Sequence, residues 1–310
     1  MNYRFDFLKS SKMMLMVSGI LVAVSILVVA VPLLLGGESL PFGLNPGLDF
    51  TGGTQLRVQF VEPTATDAVR ATLSGVVGIE EDLSNSAIHD FPDLKNTKAI
   101  RMQLTDEDDI DRVVDTLEAA FPGLTIISRE VIGSQISKEL ISSGWQSTLL
   151  MLIVILLYLT WRFQFRFAVG AVVALMHDVL IALGIFALLR IEINLPVIAA
   201  FLTIVGYSVN DTIVIFDRIR ENLAAQRRGD PYKLINLSLN QSLRRTMHTS
   251  LTTFIPVLVL TLFGGSVLFA FAFALLLGVV VGTYSSIYVA SSLVLIWSKR
   301  TSTSAGRASA

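Results

Sequence analysis

An ionisable group sits in this sequence where one is costly to keep. The stretch Gly206-Tyr-Ser-Val-Asn210-Asp211-Thr212-Ile-Val-Ile-Phe216-Asp217-Arg218 closes an apolar run that begins near Leu195. Asp211 lies inside that run, about 9 Å before the charges that end it at helical rise. A carboxyl at such depth must be protonated, paired or wetted, and that requirement suits it to taking up and releasing a proton. Two further groups share the setting. Asp178, in His177-Asp178, falls near the middle of another apolar run, and Arg245 precedes a third. Ser208, Asn210, Thr212, Thr246, His248, Thr249 and Thr252 place hydroxyls, an amide and an imidazole at similar depth. Such a cluster can hold water and pass protons, with Asp211, Arg245 and Asp178 as its relay. Arg245 has two readings, a partner for Asp211 or a side chain that snorkels to the phosphates. Asp178 likewise either relays a proton or hydrogen-bonds a neighbouring span. Asp217 reads as an interfacial charge.

The composition removes other chemistries. Hydrophobic residues make up 53% of the 310 and charged residues 16%, and the mean hydropathy is +0.65. That is an integral membrane protein with room for one soluble domain, since soluble domains carry about 25% charged residues. No cysteine is present, so disulfides and thiolate chemistry are excluded. The three histidines, His89, His177 and His248, are too scattered for a metal site. No phosphate-binding loop or zinc-protease pattern occurs, so neither catalytic nor metal residues are expected.

The elements that must position these residues follow from hydropathy. Residues 1–36 read as a cytoplasmic N-terminus and a first, uncleaved transmembrane helix, Met13–Leu35, long enough to span about 30 Å of hydrocarbon. Residues 37–133 change character, with Pro and Gly punctuation and short alternating segments. Thr54–Phe60, Ala87–Phe91, Ala99–Leu104 and Leu124–Ile132 read as strands. Thr66–Leu73 reads as a helix, and Thr105-Asp-Glu-Asp-Asp opens another that buries Ile110, Val113, Val114 and Leu117. Strand-helix-strand-strand-helix-strand is the split βαβ order of ferredoxin-like domains.

Residues 134–300 hold five more spans, about Ser142–Trp161, Phe167–Leu189, Leu195–Phe216, Arg245–Phe263 and Leu268–Trp297. The apolar part of the fifth helix, Leu251–Phe263, is only about 20 Å long. Length therefore draws it back through Thr249 and His248 to Arg245. Between the fourth and fifth spans, residues 218–244 form a cytoplasmic loop in which Asp230-Pro231 starts an amphipathic helix. Gly278 and Gly282 form a GxxxG packing face, and Gly264-Gly265 a tight turn. Orientation follows the basic residues. Arg4, Lys9, Lys12, Arg162, Arg166, Arg218, Arg220, Arg227, Arg228, Lys233, Arg244, Arg245, Lys299, Arg300 and Arg307 fall on one side when both ends, including the tail 301–310, are cytoplasmic. The fold class is thus a polytopic α-helical membrane protein of six transmembrane helices, with one extracytoplasmic α+β ferredoxin-like domain between helices 1 and 2. Positive-inside topology accounts for the loop arginines without nucleic acid.

Three motifs carry a resemblance. Gly47-Leu-Asp49-Phe-Thr-Gly52-Gly53-Thr54, Val205 to Asn222, and Ser242-Leu-Arg-Arg-Thr-Met-His-Thr-Ser-Leu-Thr-Thr253 together resemble the SecF family, accessory subunits of bacterial protein translocation in the RND superfamily. The likeness runs from the first span to about Trp297. It implies half of a transporter-like unit completed by SecD, coupled to the proton motive force. It implies that the pair assists the SecYEG channel in drawing out unfolded secretory proteins across the bacterial cytoplasmic (inner) membrane. Protons would be the coupling ion, with no other cofactor. The family's membrane aspartate falls on Asp211 and its membrane arginine on Arg245, while the glycine motif leads into the outer domain. Two alternatives stand beside this: an RND-type small-molecule or lipid exporter subunit, and a passive scaffold of a membrane complex.

Overall fold

The computed structural model describes residues 5–35, 40–79, 83, 86–90, 94–163, 165–226 and 229–298. Phe91, Arg4, Arg227, Arg228, Lys299, Arg300, Arg307 and the tail 301–310 lie outside the described residues, as does the side chain of Arg166. The chain divides into two compact units. One comprises residues 46–147 with 265–267, and the other the remaining residues, most of them helical.

The first unit opens at Pro46, the second residue of the short strand β1 (Asn45–Pro46), and continues into a single helical turn, α2 (Leu48–Thr51). Gly52 ends that turn at φ +69° and its N–H donates to Leu48 O at 2.9 Å. Gly53 follows at φ +100° and opens β2 (Gly53–Gln59). A side chain at Gly53 would press on the Met102 carbonyl, so the motif's second glycine is demanded by both dihedral and space. α3 (Thr66–Ser74), β3 (Ala87–Asp90), β4 (Thr97–Met102), α4 (Glu107–Ala120) and β5 (Thr125–Ile132) complete the unit. The strand order is β3-β4-β2-β5, every pair antiparallel. Alternation in β2 sends Thr54, Leu56 and Val58 inward, and Leu56 stands opposite Ile100. Leu56, Val58 and Ile100 meet Val69 and Leu73 of α3 and Ile110, Val113 and Leu117 of α4 in one apolar cluster. Val114 is only half-buried, at the edge of that cluster. The N-cap of α4 is Asp106 rather than Thr105: its carboxylate accepts from the N–H of Asp108 and Asp109 at 3.0 and 3.4 Å.

The second unit is built on helices. α1 (Ser11–Leu35) is preceded by a 3₁₀ turn, Phe7–Ser10, which Asn236 ties down by accepting from Phe7 N at 2.9 Å. Ser11, Ser18 and Ser25 recur every seven residues on its buried face, and Ser25 packs against Gly184. Small residues let helices close in where lipid offers no hydrophobic drive. α5 (Ser134–Arg162) begins before the apolar run, in the polar residues that follow β5. α6 (Phe165–Leu189), β6 (Glu192–Ile193) and α7 (Leu195–Ala225) follow. Asn194 caps α7, accepting from Val197 N at 3.1 Å, with Pro196 in its first turn. α8 (Pro231–Phe263), capped by Asp230, is one continuous helix of 33 residues. It joins the loop helix and the fifth span, as the shortness of the apolar stretch requires. α9 (Gly265–Ser285) continues through a π turn, Ser286–Ala290, to Ser298. Six helices among the described residues are long and apolar enough to cross a membrane.

Candidate functional site

Two clusters of buried polar groups lie along α7. Asp211 is 2% exposed. Thr249 Oγ1 donates to its Oδ1 and Ser250 Oγ to its Oδ2, each at 3.4 Å, so α7 is tied to α8 there. Ser250 is also hydrogen-bonded to Thr283 Oγ1 of α9 at 2.7 Å. Arg245 lies within electrostatic range of Asp211, but among the described residues no ion pair joins them. The arginine is exposed, while Thr249 and Ser250, one turn on, reach the acid. The expected direct Asp211–Arg245 contact is therefore replaced here by hydroxyl contacts. Thr212 is buried beside Asp211, and Asn210 is exposed.

The second cluster surrounds Asp178, which is fully buried. Its Oδ1 is 2.9 Å from His177 Nδ1. Its Oδ2 accepts from Ser208 Oγ of α7 at 2.5 Å and from Ser285 Oγ of α9 at 2.8 Å. Ser208 thus belongs to Asp178, not to the Asp211 cluster in which its neighbourhood in sequence had placed it. Three residues along a helix turn about 300°, so adjacent turns face different neighbours. His177 stacks on Tyr284 with ring centroids 6.1 Å apart, and the Tyr284 hydroxyl donates to Met14 O at 2.9 Å. Asp217 pairs with Arg162 at 3.0 Å and with Arg220 at 3.3 Å, at the end of the span.

The glycine face of α9 is used within the chain. A side chain at Gly278 would run into Ile204 of α7, and one at Gly282 would stand 3.2 Å from Ser208 Cβ. This close approach brings Ser285 to Asp178 and Thr283 to the Ser250 that contacts Asp211. Ser250, Thr283 and Ser285 were not singled out from sequence. Their signal is spacing, since Ser250 stands four residues after Thr246 and Ser285 three after Gly282. In the first unit, Gly47, Asp49, Gly52 and Gly53 form the turn that starts β2.

Comparison with known proteins decides the family. Residues 112–300 match the family model described as protein export membrane protein SecD/SecF, C-terminal. The chain belongs to the SecD/SecF family. The SecD/SecF GG motif matches residues 42–64, the turn just described. Among curated relatives, the protein translocase subunit SecF of Desulfurispirillum indicum is 41% identical, covering 90% of this chain and 89% of its own. That of Rhodothermus marinus is 38% identical over 95% and 93%. The crystal structure of SecDF from Thermus thermophilus, titled a translocon-associated membrane protein, superposes with a TM-score of 0.83 at 35% identity. The match covers 96% of this chain and 39% of that one, so the chain spans well under half of the solved SecDF chain. Asp178, Asp211 and Arg245 all lie within the matched SecD/SecF region.

Proposed function

We propose that this chain is the proton-coupled half of a membrane unit that assists protein export, completed by a SecD partner. The observation that carries the reading is a polar stripe left uncovered at membrane depth. Thr203, Gly206 and Asn210 are exposed along one face of α7, and Arg245, His248 and Thr252 along one face of α8. The spacing, three then four residues, is the same on both. Asp211 is the next residue after Asn210, and Thr249 the next after His248. Hydrocarbon would charge a few kcal/mol for an arginine there, and an apposed helical half removes that cost. The share of SecDF that this chain covers leaves room for such a half.

In this reading Asp211 carries the coupling proton, and Arg245 supplies the counter-charge across the assembled interface. Protons are the only coupling ion required. The first unit, with its β2-α3-β3-β4-α4-β5 order, is a ferredoxin-like domain on the extracytoplasmic side, and both chain ends are cytoplasmic. A change in Asp211 protonation alters the helix contacts and biases the position of that domain. The unit serves secretory proteins emerging from the SecYEG channel in the bacterial inner membrane.

The test is precursor export into membrane vesicles with and without a proton gradient. Asp211→Asn keeps size and hydrogen bonding but cannot exchange a proton. It is expected to assemble normally and lose the gradient-dependent part of export, by about a hundredfold or more, the low end of what a positioned acid–base group contributes. Arg245→Ala should lower it as well, and Arg245→Lys should retain part of it. Wild-type, gradient-dependent export by Asp211→Asn refutes the reading.

A further inference from the structure

We infer that buried hydroxyls along α8 hold a file of water molecules running from Asp211 toward the Pro231 end of the helix, with Thr246 as the first binding group beyond the Ser250 that touches the acid. This rests on the reading of Asp211 as the proton carrier. Ser238, Ser242, Thr246 and Ser250 stand four residues apart on one face of α8, and their exposures are 0%, 6%, 1% and 7%. A four-residue step rises about 6 Å. That is close to twice a hydroxyl hydrogen bond of about 2.8 Å, so one water fits between successive hydroxyls.

Spacing alone would be a stripe of small residues. Thr246 turns it into a site. Its Oγ1 is buried and has no hydrogen-bond partner. Threonines in a helix commonly turn the hydroxyl back onto the carbonyl four residues earlier. Thr249, Thr252, Thr253 and Thr261 all do so, to Arg245, His248, Thr249 and Val257. Thr246 does not, and an orphaned buried hydroxyl costs about 1–3 kcal/mol. Asp211 of α7, which Ser250 contacts from one turn along the same face of α8, is under-supplied too. An ionised carboxyl has about four lone-pair positions, yet Asp211 receives two hydroxyls at 3.4 Å, beyond the usual O–H···O range.

Water satisfies both ends, accepting from the threonine and donating to the carboxylate. The α8 stripe carries hydroxyls without a carboxylate of its own, which suits neutral water and a migrating proton better than a hard metal ion. At the far end Ser238 Oγ receives Asn222 Nδ2 at 2.8 Å, and the same amide donates to the exposed Gln241 at 3.0 Å. The file thus reaches a solvated end. In one transfer the Asp211 O–H bond breaks and an O–H bond forms on the adjacent water. Each water passes on one proton in turn, one proton leaves at the Gln241 end, and no electron moves.

The experiment has two arms on the full-length protein. In nanodiscs with deuterated lipid tails, water-to-methyl cross-relaxation is measured at threonine methyls. In vesicles, gradient-driven export is measured for Thr246→Val, Thr246→Ser and Asp211→Asn. A water contact at the Thr246 methyl is expected in the wild type. Thr246→Val, which keeps shape and removes the hydroxyl, should lower gradient-driven export by about tenfold, while Thr246→Ser stays within about twofold of wild type. Should Thr246→Val fold poorly, the wild-type water contact and Thr246→Ser still decide. A dry Thr246 methyl, or wild-type export by folded Thr246→Val, overturns the water file. If Asp211→Asn remains inactive in that event, only the file has failed. If Asp211→Asn is active, the reading beneath it has failed.

Discussion

Asp178 offers the sharpest test of what the second buried acid does. Its carboxylate gathers His177 Nδ1, Ser208 Oγ and Ser285 Oγ, and so joins α6 to α7 and α9. In Asp178→Leu all three lose their acceptor. Ser285 keeps a bond to Gly282 O at 3.1 Å, so Ser208 and the His177 nitrogen are the groups left unpaired. At about 1–3 kcal/mol for each orphaned buried group, the loss is about 2–6 kcal/mol. Asp178→Asn behaves differently. Its amide oxygen can accept from both serines, and its N–H₂ can donate to His177 Nδ1 in the other tautomer, so the cost stays under about 1 kcal/mol. Unfolding free energies in bilayers, measured by steric trapping, should therefore separate the two variants by at least about 1–2 kcal/mol. Export should follow stability, with Asp178→Asn near wild type. Equal stability of Asn and Leu would refute the tie between helices. A stable Asp178→Asn that loses gradient-driven export as Asp211→Asn does would show that Asp178 carries a proton instead.

Other outcomes can be stated briefly. Gly278→Val drives a side chain into Ile204, which is 2% exposed and cannot swing away. It should cost about 1–3 kcal/mol, with Ile204→Ala restoring part of it in a double-mutant cycle. If Gly278→Val leaves stability intact but prevents co-purification of a second subunit, the glycine face is an interchain contact. Gly53→Ala should cost about 1–3 kcal/mol through its positive φ and the Met102 carbonyl, read as faster proteolysis of the first unit in the full chain. Gly133→Ala, with nothing near its Cβ, is the neutral control. Arg220→Ala breaks a half-exposed pair with Asp217 and should change stability by less than about 1 kcal/mol.

What was legible in the sequence depended on period and length. Alternation marked β2 because one face of that strand is buried and the other is not, and the acids of the α4 first turn announced its start. The continuous α8 followed from arithmetic on a short apolar segment. What stayed hidden was which neighbour each helix face meets. In α1 the serines at 11, 18 and 25 are lost in a helix that is apolar all round, although their spacing of seven holds the information. Ser208 and Asp211 sit one turn apart on α7, and nothing local says that one turns to α6 and α9 and the other to α8.

That division along α7 has a mechanical consequence. Ser208 and Asp211 belong to one helix, and Ser285, which holds Asp178, and Thr283, which holds the Ser250 on Asp211, to another, so α7 and α9 are supports common to both acids. Gly278 and Gly282 hold those supports in close contact. Any rotation or slide of α7 that moves Asp211 relative to α8 must also strain the 2.5 Å bond from Ser208 to Asp178. Packed interfaces of this kind adopt discrete arrangements rather than continuous ones. The Asp178 cluster then sets the stiffness against which a protonation change at Asp211 works. A double-mutant cycle on Asp178→Asn and Asp211→Asn should accordingly show coupling of about 0.5 kcal/mol or more in gradient-dependent export, and strictly additive effects would mean that the two clusters act through separate helices after all.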